Sequence, residues 1–152
     1  MADIQDGHKV LEPSAGVGLL AEGILKHNSN IELDCIELNS YCKKELRDKG
    51  FNVVWSNFLD FNPKYLYDRV IGAPTFKDNI DCAHVMKMYE CTKPGGRIVS
   101  IMSPKWMIEN SEIQVKFREW LKYKSYTITV LPDNSYVENG ITVPTILINL
   151  EK

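Results

Sequence analysis

Apolar positions along this chain alternate between two rhythms. Val10 and Leu11 form a short extended run, after which Leu20, Ala21, Ile24 and Leu25 recur at helical spacing. Ile31, Leu33 and Cys35 then alternate with Glu32 and Asp34, and Ile36-Glu37-Leu38 closes that run, which predicts a second strand ending at Glu37. Asn39-Ser40 carries the chemistry of a helix start, Tyr41 to Lys49 is charged and helical, and Gly50 is placed to stop it. Phe51 to Trp55 predicts a third strand. The loop Ser56-Asn57-Phe58-Leu59-Asp60 separates it from a short buried fourth strand, Arg69-Val70-Ile71, which runs into Gly72-Ala73-Pro74-Thr75-Phe76.

Helical rhythm returns with Cys82, Val85, Met86 and Tyr89 on one face, and Lys93-Pro94-Gly95-Gly96 ends that helix before the strand Arg97 to Met102. Ile113, Phe117, Trp120 and Leu121 define a further amphipathic helix. Tyr126 to Leu131 and Thr145 to Leu150 follow as two strands, with Asp133-Asn134 and Asn139-Gly140 in the connection. No helical pattern lies between these two, so they are expected to pair antiparallel. Strand and helix alternate through most of the chain and end in a hairpin, which predicts an α/β fold with a mostly parallel, doubly wound sheet covered on both faces.

The stretch Val10-Leu11-Glu12-Pro13-Ser14-Ala15-Gly16-Val17-Gly18 gives this pattern its centre. Pro13 cannot continue a ladder, and Gly16 and Gly18 permit a tight turn in which backbone lies directly against a ligand. A glycine turn between strand and helix, at the carboxyl edge of a parallel sheet, is where open α/β folds bind cofactors.

Composition narrows the class. The chain has 152 residues, 44% apolar and 25% charged, which suits one globular domain with a real core. A formal net charge of -2 gives no global attraction toward nucleic acid. Cys35, Cys42, Cys82 and Cys91 are widely spaced, and His8, His27 and His84 form no pair beside them. Reduced packing thiols and no metal site are the expectation. No apolar run spans a bilayer and the first residues lack the regions of a signal peptide, so a cytoplasmic protein is expected.

Two nucleotide cofactors compete for the glycine loop. Gly16-x-Gly18-x-x-Ala21 satisfies a loose dinucleotide fingerprint, with Glu37 about twenty residues on as a ribose partner. Against a nicotinamide cofactor stand the inserted Glu12-Pro13-Ser14-Ala15, the lack of length for a substrate domain, and the terminal hairpin.

Taken together, Glu12-Pro13-Ser14-Ala15-Gly16-x-Gly18, Glu37, Asn57-Phe58, Val70 to Phe76 and Lys93-Pro94-Gly95-Gly96 resemble the class I S-adenosylmethionine-dependent methyltransferases. Within that class the chain looks like the DNA adenine N6 type of restriction-modification and mobile-element systems. The resemblance implies a Rossmann-like seven-stranded sheet with an antiparallel terminal strand, S-adenosylmethionine as cofactor and DNA as partner. It places Gly16 and Gly18 along the methionine and ribose portion, within the loop Pro13, Ser14 and Ala15. Glu12 comes near the amino group, Glu37 on the ribose hydroxyls with Leu38 beside it, Phe58 against adenine, and Asn57, often Asp in relatives, beside the adenine amino group.

The pattern departs from the family at one decisive segment. Where adenine-type relatives carry Asn or Asp, then Pro-Pro and an aromatic, this chain has Ala73, Pro74, Thr75 and Phe76. The amide accepts hydrogens of a conjugated amine and localises its lone pair; Ala73 has nothing with which to accept. The Pro74 carbonyl and the Phe76 ring remain as candidates for holding a flipped base. Residues 1–152 thus read as a single methyltransferase-like domain without a lid helix or target-recognition insert, Met1-Ala2-Asp3-Ile4 reading as the end of such a helix. Amine methylation is expected to be weak or lost. The alternatives are a noncatalytic cofactor-binding or partner-binding module, and transfer to RNA or to a protein glutamine.

Overall fold

A computed structural model describes residues 2–132, 135, 137–138 and 141–152. In chain order these form β1 (Lys9–Glu12), α1 (Leu19–His27), β2 (Glu32–Ile36), α2 (Ser40–Asp48), β3 (Asn52–Trp55), β4 (Tyr67–Gly72), α3 (Ile80–Cys91), β5 (Thr92–Met102), α4 (Glu112–Leu121), β6 (Ser125–Val130), β7 (Val137–Glu138), β8 (Ile141–Thr142) and β9 (Ile146–Glu151). Seven of the strands make one sheet in the order β3-β2-β1-β4-β5-β9-β6, while β7 and β8 pair only with each other. All neighbours in the sheet are parallel except β9, which runs antiparallel to β5 and to β6. This is the mostly parallel α/β sheet that the alternation of rhythms predicts.

The central strands of the sheet are buried on both faces, so alternate residues of one strand serve two cores, while the edge strand β6 is largely exposed. In β1, Leu11 joins Ile36, Val70, Ile98 and Ile148 against Val85 and Met88 of α3 and Phe117 and Leu121 of α4. Its neighbour Val10 points the other way, to Ile24 of α1 with Ile71 and Val99. The thiols Cys35, Cys82 and Cys91 are buried and unpaired, and burial pushes them up to about 12, 12 and 11, so they stay protonated packing groups. Among the described residues no helix is long and apolar enough to cross a membrane.

Local signals fall where expected. Asn39 caps α2, its Oδ1 accepting from the Tyr41 and Cys42 amides. Gly50, at φ 87°, ends the same helix, with the Phe51 amide donating to the Leu46 carbonyl and the Gly50 amide to that of Arg47. Four features differ from the pattern-based reading. β5 begins at Thr92 and takes in Lys93-Pro94-Gly95-Gly96, which reads in sequence as a stop before a strand at Arg97, because Thr92 pairs with Tyr67 and the Gly95 amide and Gly96 carbonyl bond to Lys152. The fourth strand is twice as long as its apolar core, Tyr67–Gly72, because pairing to β1 and β5 extends it. The connection after β6 holds the small β7–β8 pair; Asp133, Asn134, Asn139 and Gly140 lie outside the described residues. Finally, residues 2–5, which read in sequence as the end of a helix, form no helical turn. The Arg69 guanidinium, 7% exposed, takes the carbonyls of Ala2 and Asp3 that a helix would use internally, and Ala2 and Ile4 pack against the Val10 core.

One glycine outside the site has no room to change. A Cβ on Gly96 would meet the Thr92 methyl at 2.6 Å and the Asp68 and Lys93 carbonyl oxygens at 2.9 Å. Gly96→Ala is expected to cost about 2 kcal/mol, read as a lower urea midpoint with unchanged slope.

Candidate functional site

The carboxyl ends of β1, β2, β3 and β4 open into a single cleft of about 500 Å³. That volume falls within the range of small-molecule sites, roughly 300–1,000 Å³. The first wall is the turn after β1, which contributes Pro13, Ser14 and Gly16. This turn is closed by the Ala15 amide donating to the Ile36 carbonyl and the Gly18 amide to that of Ala15. Gly18 occupies the left-handed region at φ 94°, where a Cβ would stand 3.0 Å from Leu46 Cδ2 and 3.1 Å from Phe51 Cε2. It begins α1 from below the cleft rather than lining it. Gly72 lets the same turn close against β4, since a Cβ there would stand 3.0 Å from the Pro13 ring.

Glu37 is the anchor of the second wall. Its Oε2 accepts from the Gly16 amide and its Oε1 from the Asn39 amide, both at 2.7 Å. The carboxylate therefore joins the turns after β1 and β2 and faces the cleft beside Leu38 and Asn39. Each oxygen keeps a lone pair for a further donor.

Ser56, Asn57 and Phe58 form the third wall. The Asn57 side chain is engaged locally: its Nδ2 donates to Asp60 at 2.6 Å and its Oδ1 accepts from the Leu59 amide at 3.3 Å. Phe58 is 2% exposed and wedged between Phe61 and the edge of the His84 ring, 5.2 Å away. Ala73 and Thr75 make the fourth wall, while Pro74 is buried and neither it nor Phe76 lines the cleft. Two residues of α3, Ile80 and His84, complete the lining.

Glu12 and Ala15 lie beneath this surface. Glu12 is 1% exposed, and the Ala21 amide in the first turn of α1 is the backbone donor that favours its ionised form. Its Oε2 has no partner among the described residues. Burial, reinforced by the Glu37 charge, pushes its carboxyl up to about 8.

The pattern-based reading thus finds Pro13, Ser14, Gly16, Glu37, Leu38, Asn57, Phe58, Ala73 and Thr75 around one cleft, with Glu12, Ala15, Gly18, Pro74 and Phe76 outside its lining. It misses Asn39, Ser56, Ile80 and His84 as lining residues. A signal for the last two exists: Ile80 opens the helix that follows the fourth loop, and His84 lies four residues on, on the same face. The Ser14 Oγ is 3.2 Å from His84 Nδ1, and burial lowers the imidazole to about 4, which keeps it neutral. No group of three His, Cys, Asp or Glu side chains suited to a metal occurs among the described residues.

No protein-family model matches the chain, and no curated protein is detectably similar to it in sequence. Solved structures are similar in shape. A Listeria monocytogenes protein assigned to the class I S-adenosylmethionine-dependent methyltransferases superposes with a TM-score of 0.72 at 14% identity, over 99% of this chain and 55% of that one. The plantazolicin methyltransferase BpumL, in complex with S-adenosylhomocysteine, gives 0.68 at 11%, over 99% and 78%. A Streptococcus thermophilus rRNA methylase gives 0.62 at 13%, over 98% and 89%. The chain has the Rossmann-like class I methyltransferase fold.

Proposed function

We propose that the chain binds S-adenosylmethionine in this cleft and is a methyltransferase of low activity, of the DNA adenine N6 type by its sequence resemblance. The observation that carries the cofactor assignment is Glu37, a carboxylate held by two backbone amides at the rim of a glycine turn, with lone pairs to spare for a ribose diol. Carboxylate-to-diol hydrogen bonds are charge-assisted and selective in geometry. The lining fits the group in other respects. A sulfonium cofactor brings no phosphate, and no lysine or arginine lines the cleft. The unpartnered Glu12 Oε2 beneath the first turn suits a nearby ammonium, and Leu38 with Phe58 offers apolar surface for a base.

When bound, the cofactor supplies an electrophilic methyl group. The residues of this chain orient it: Gly16 permits close approach, Glu37 fixes the ribose, and Ser56 and Asn57 border the adenine end. Calorimetric titration with S-adenosylmethionine and with S-adenosylhomocysteine tests the assignment. Saturable heat from each supports it, and no heat with either, from protein that melts cooperatively, overturns it.

The acceptor rests on the resemblance. The structural relatives act on different acceptors, one of them on rRNA and another on plantazolicin by their names. Ala73 sits on the cleft wall where the resemblance asks for an amide acceptor, and the loss of one such group commonly costs a hundredfold or more in rate. Ala73→Asn is therefore expected to raise methyl-label transfer into unmethylated plasmid DNA at least about tenfold. Label that stays at background in the variant, with intact cofactor binding, favours the noncatalytic reading. Label that goes to total RNA or to protein instead identifies the other acceptor classes.

A further inference from the structure

The sheet ends on β6, and that end is unguarded. Among the described residues β6 pairs with β9 alone. Edge strands are ordinarily protected by charged side chains, proline or a bulge, since their open backbone groups are a template for another strand. Ser125-Tyr126-Thr127-Ile128-Thr129-Val130 holds no charged residue, proline or glycine, and its pairing to β9 runs without a break in register. Five of these six residues are exposed, Val130 by 76% and Tyr126 by 41%.

Two hydrogen bonds fix which backbone groups face outward. The Leu131 amide donates to the Thr145 carbonyl, in line with the β6–β9 register, and the Lys152 amide donates to the Gly96 carbonyl, in line with the β5–β9 register. Bonded pairs recur at every second residue of an antiparallel ladder. The odd-numbered residues of β6 therefore bond to β9, while Tyr126, Ile128 and Val130 direct N–H and C=O to the open side. A second copy related by a twofold axis at Ile128 would engage every one of these groups. It sets Tyr126 opposite Val130 of the other copy, Ile128 opposite Ile128, and Thr127 opposite Thr129, and aromatic–β-branched and Thr–Thr pairs are favourable across strands. The register is bounded at both ends. A shift one way calls on Pro132, which has no N–H, and a shift the other way on Lys124, whose N–H is already given to the Leu121 carbonyl. Charge also favours the antiparallel arrangement: the basic start of each strand, Lys122 and Lys124, comes to the uncharged Leu131-Pro132 end of the other, whereas parallel pairing would bring the two basic starts together.

We propose that this chain forms a twofold dimer through β6, joining two seven-stranded sheets into one. Such an interface uses the same strand from both copies and closes on itself. β9 and β5 separate it from the strands that form the cleft, which stays open. Sedimentation equilibrium is the test, and at about 100 µM the wild type is expected at twice the 17.4 kDa chain mass. Thr127→Lys with Thr129→Lys sets like charges opposite each other and should weaken the dimer at least about tenfold. Thr127→Lys with Thr129→Glu sets opposite charges there and should hold the dimer within about threefold of the wild type. Val130→Pro removes an outward N–H but no bond to β9, and should weaken the dimer at least about tenfold without any change of charge. Thermal melts check that each variant folds, and the proline variant carries the test if the double lysine does not. A monomeric wild type, an assembly larger than a dimer, a dimer that survives both the double lysine and the proline, or an equal loss in the lysine and glutamate variant overturns the proposal.

Discussion

Glu37→Ala is expected to weaken S-adenosylhomocysteine binding by about a hundredfold. The carboxylate makes two contributions that alanine removes together. In the free protein it accepts from the Gly16 and Asn39 amides at 2.7 Å, which ties the turns after β1 and β2 into one wall. In the proposed complex it also accepts from the ribose hydroxyls. Charge-assisted hydrogen bonds are worth about 1.5 to 3 kcal/mol each, and two of them correspond to roughly a hundredfold or more in affinity. Glu37→Gln keeps one acceptor oxygen and should fall between wild type and alanine. Titration calorimetry measures the constants, and a thermal melt checks that each variant folds. An affinity for Glu37→Ala within threefold of wild type refutes the assignment of Glu37 to the ribose.

Glu12 has the largest expected effect on stability, and the effect depends on pH. Its carboxyl titrates at about 8 in the folded protein against an ordinary value of 4.5, because burial and the Glu37 charge disfavour the ionised form. A raised value means that the folded state holds its proton more tightly than the unfolded chain does. The associated stability is present in full below about 4.5 and is lost progressively as pH rises through about 8. The loss is on the order of 4 kcal/mol at alkaline pH. Glu12→Gln cannot ionise, so its stability should stay level over that window. The glutamine places an unpaired N–H in the core, where Oε2 has no partner now. The variant is therefore expected to be the less stable protein at pH 5 and the more stable one at pH 9. Urea denaturation at several pH values gives both curves. Parallel curves for wild type and Glu12→Gln would show that Glu12 does not titrate in this range.

The proton at Glu12 also bears on binding. A cofactor ammonium bound in the cleft above the turn favours the ionised carboxylate through its charge, so binding near neutral pH should release a proton from the protein. Titrations repeated in buffers of different ionisation enthalpy measure that release.

Local chemistry written in the chain decided a large part of this architecture. The switch between two-residue and helical rhythm sets the order of strands and helices, and Asn39 and Gly50 bound α2 wherever the helix ends up, because capping involves only neighbouring backbone groups. The glycine turn is equally local, since Gly16 and Gly18 supply positive φ for reasons of backbone alone. These positions, with Glu37 and Phe58, carry the family resemblance that implies the cofactor class as an expectation.

Long-range packing settled the rest. Nothing in the last forty residues states that β9 inserts between β5 and β6, because the place of a strand in a sheet depends on pairing across the whole chain. The first residues read as a helix end until the distant Arg69 captures their carbonyls. His84 is one more isolated histidine in sequence, and only the approach of α3 to the turns after β1 and β3 sets it between Ser14 and Phe58. Glu12 shows the difference most plainly. Its residue type and spacing are visible in the chain, but its proton affinity comes from burial beneath the turn and from the nearby Glu37 charge, and both exist only once the sheet and helices have closed over it.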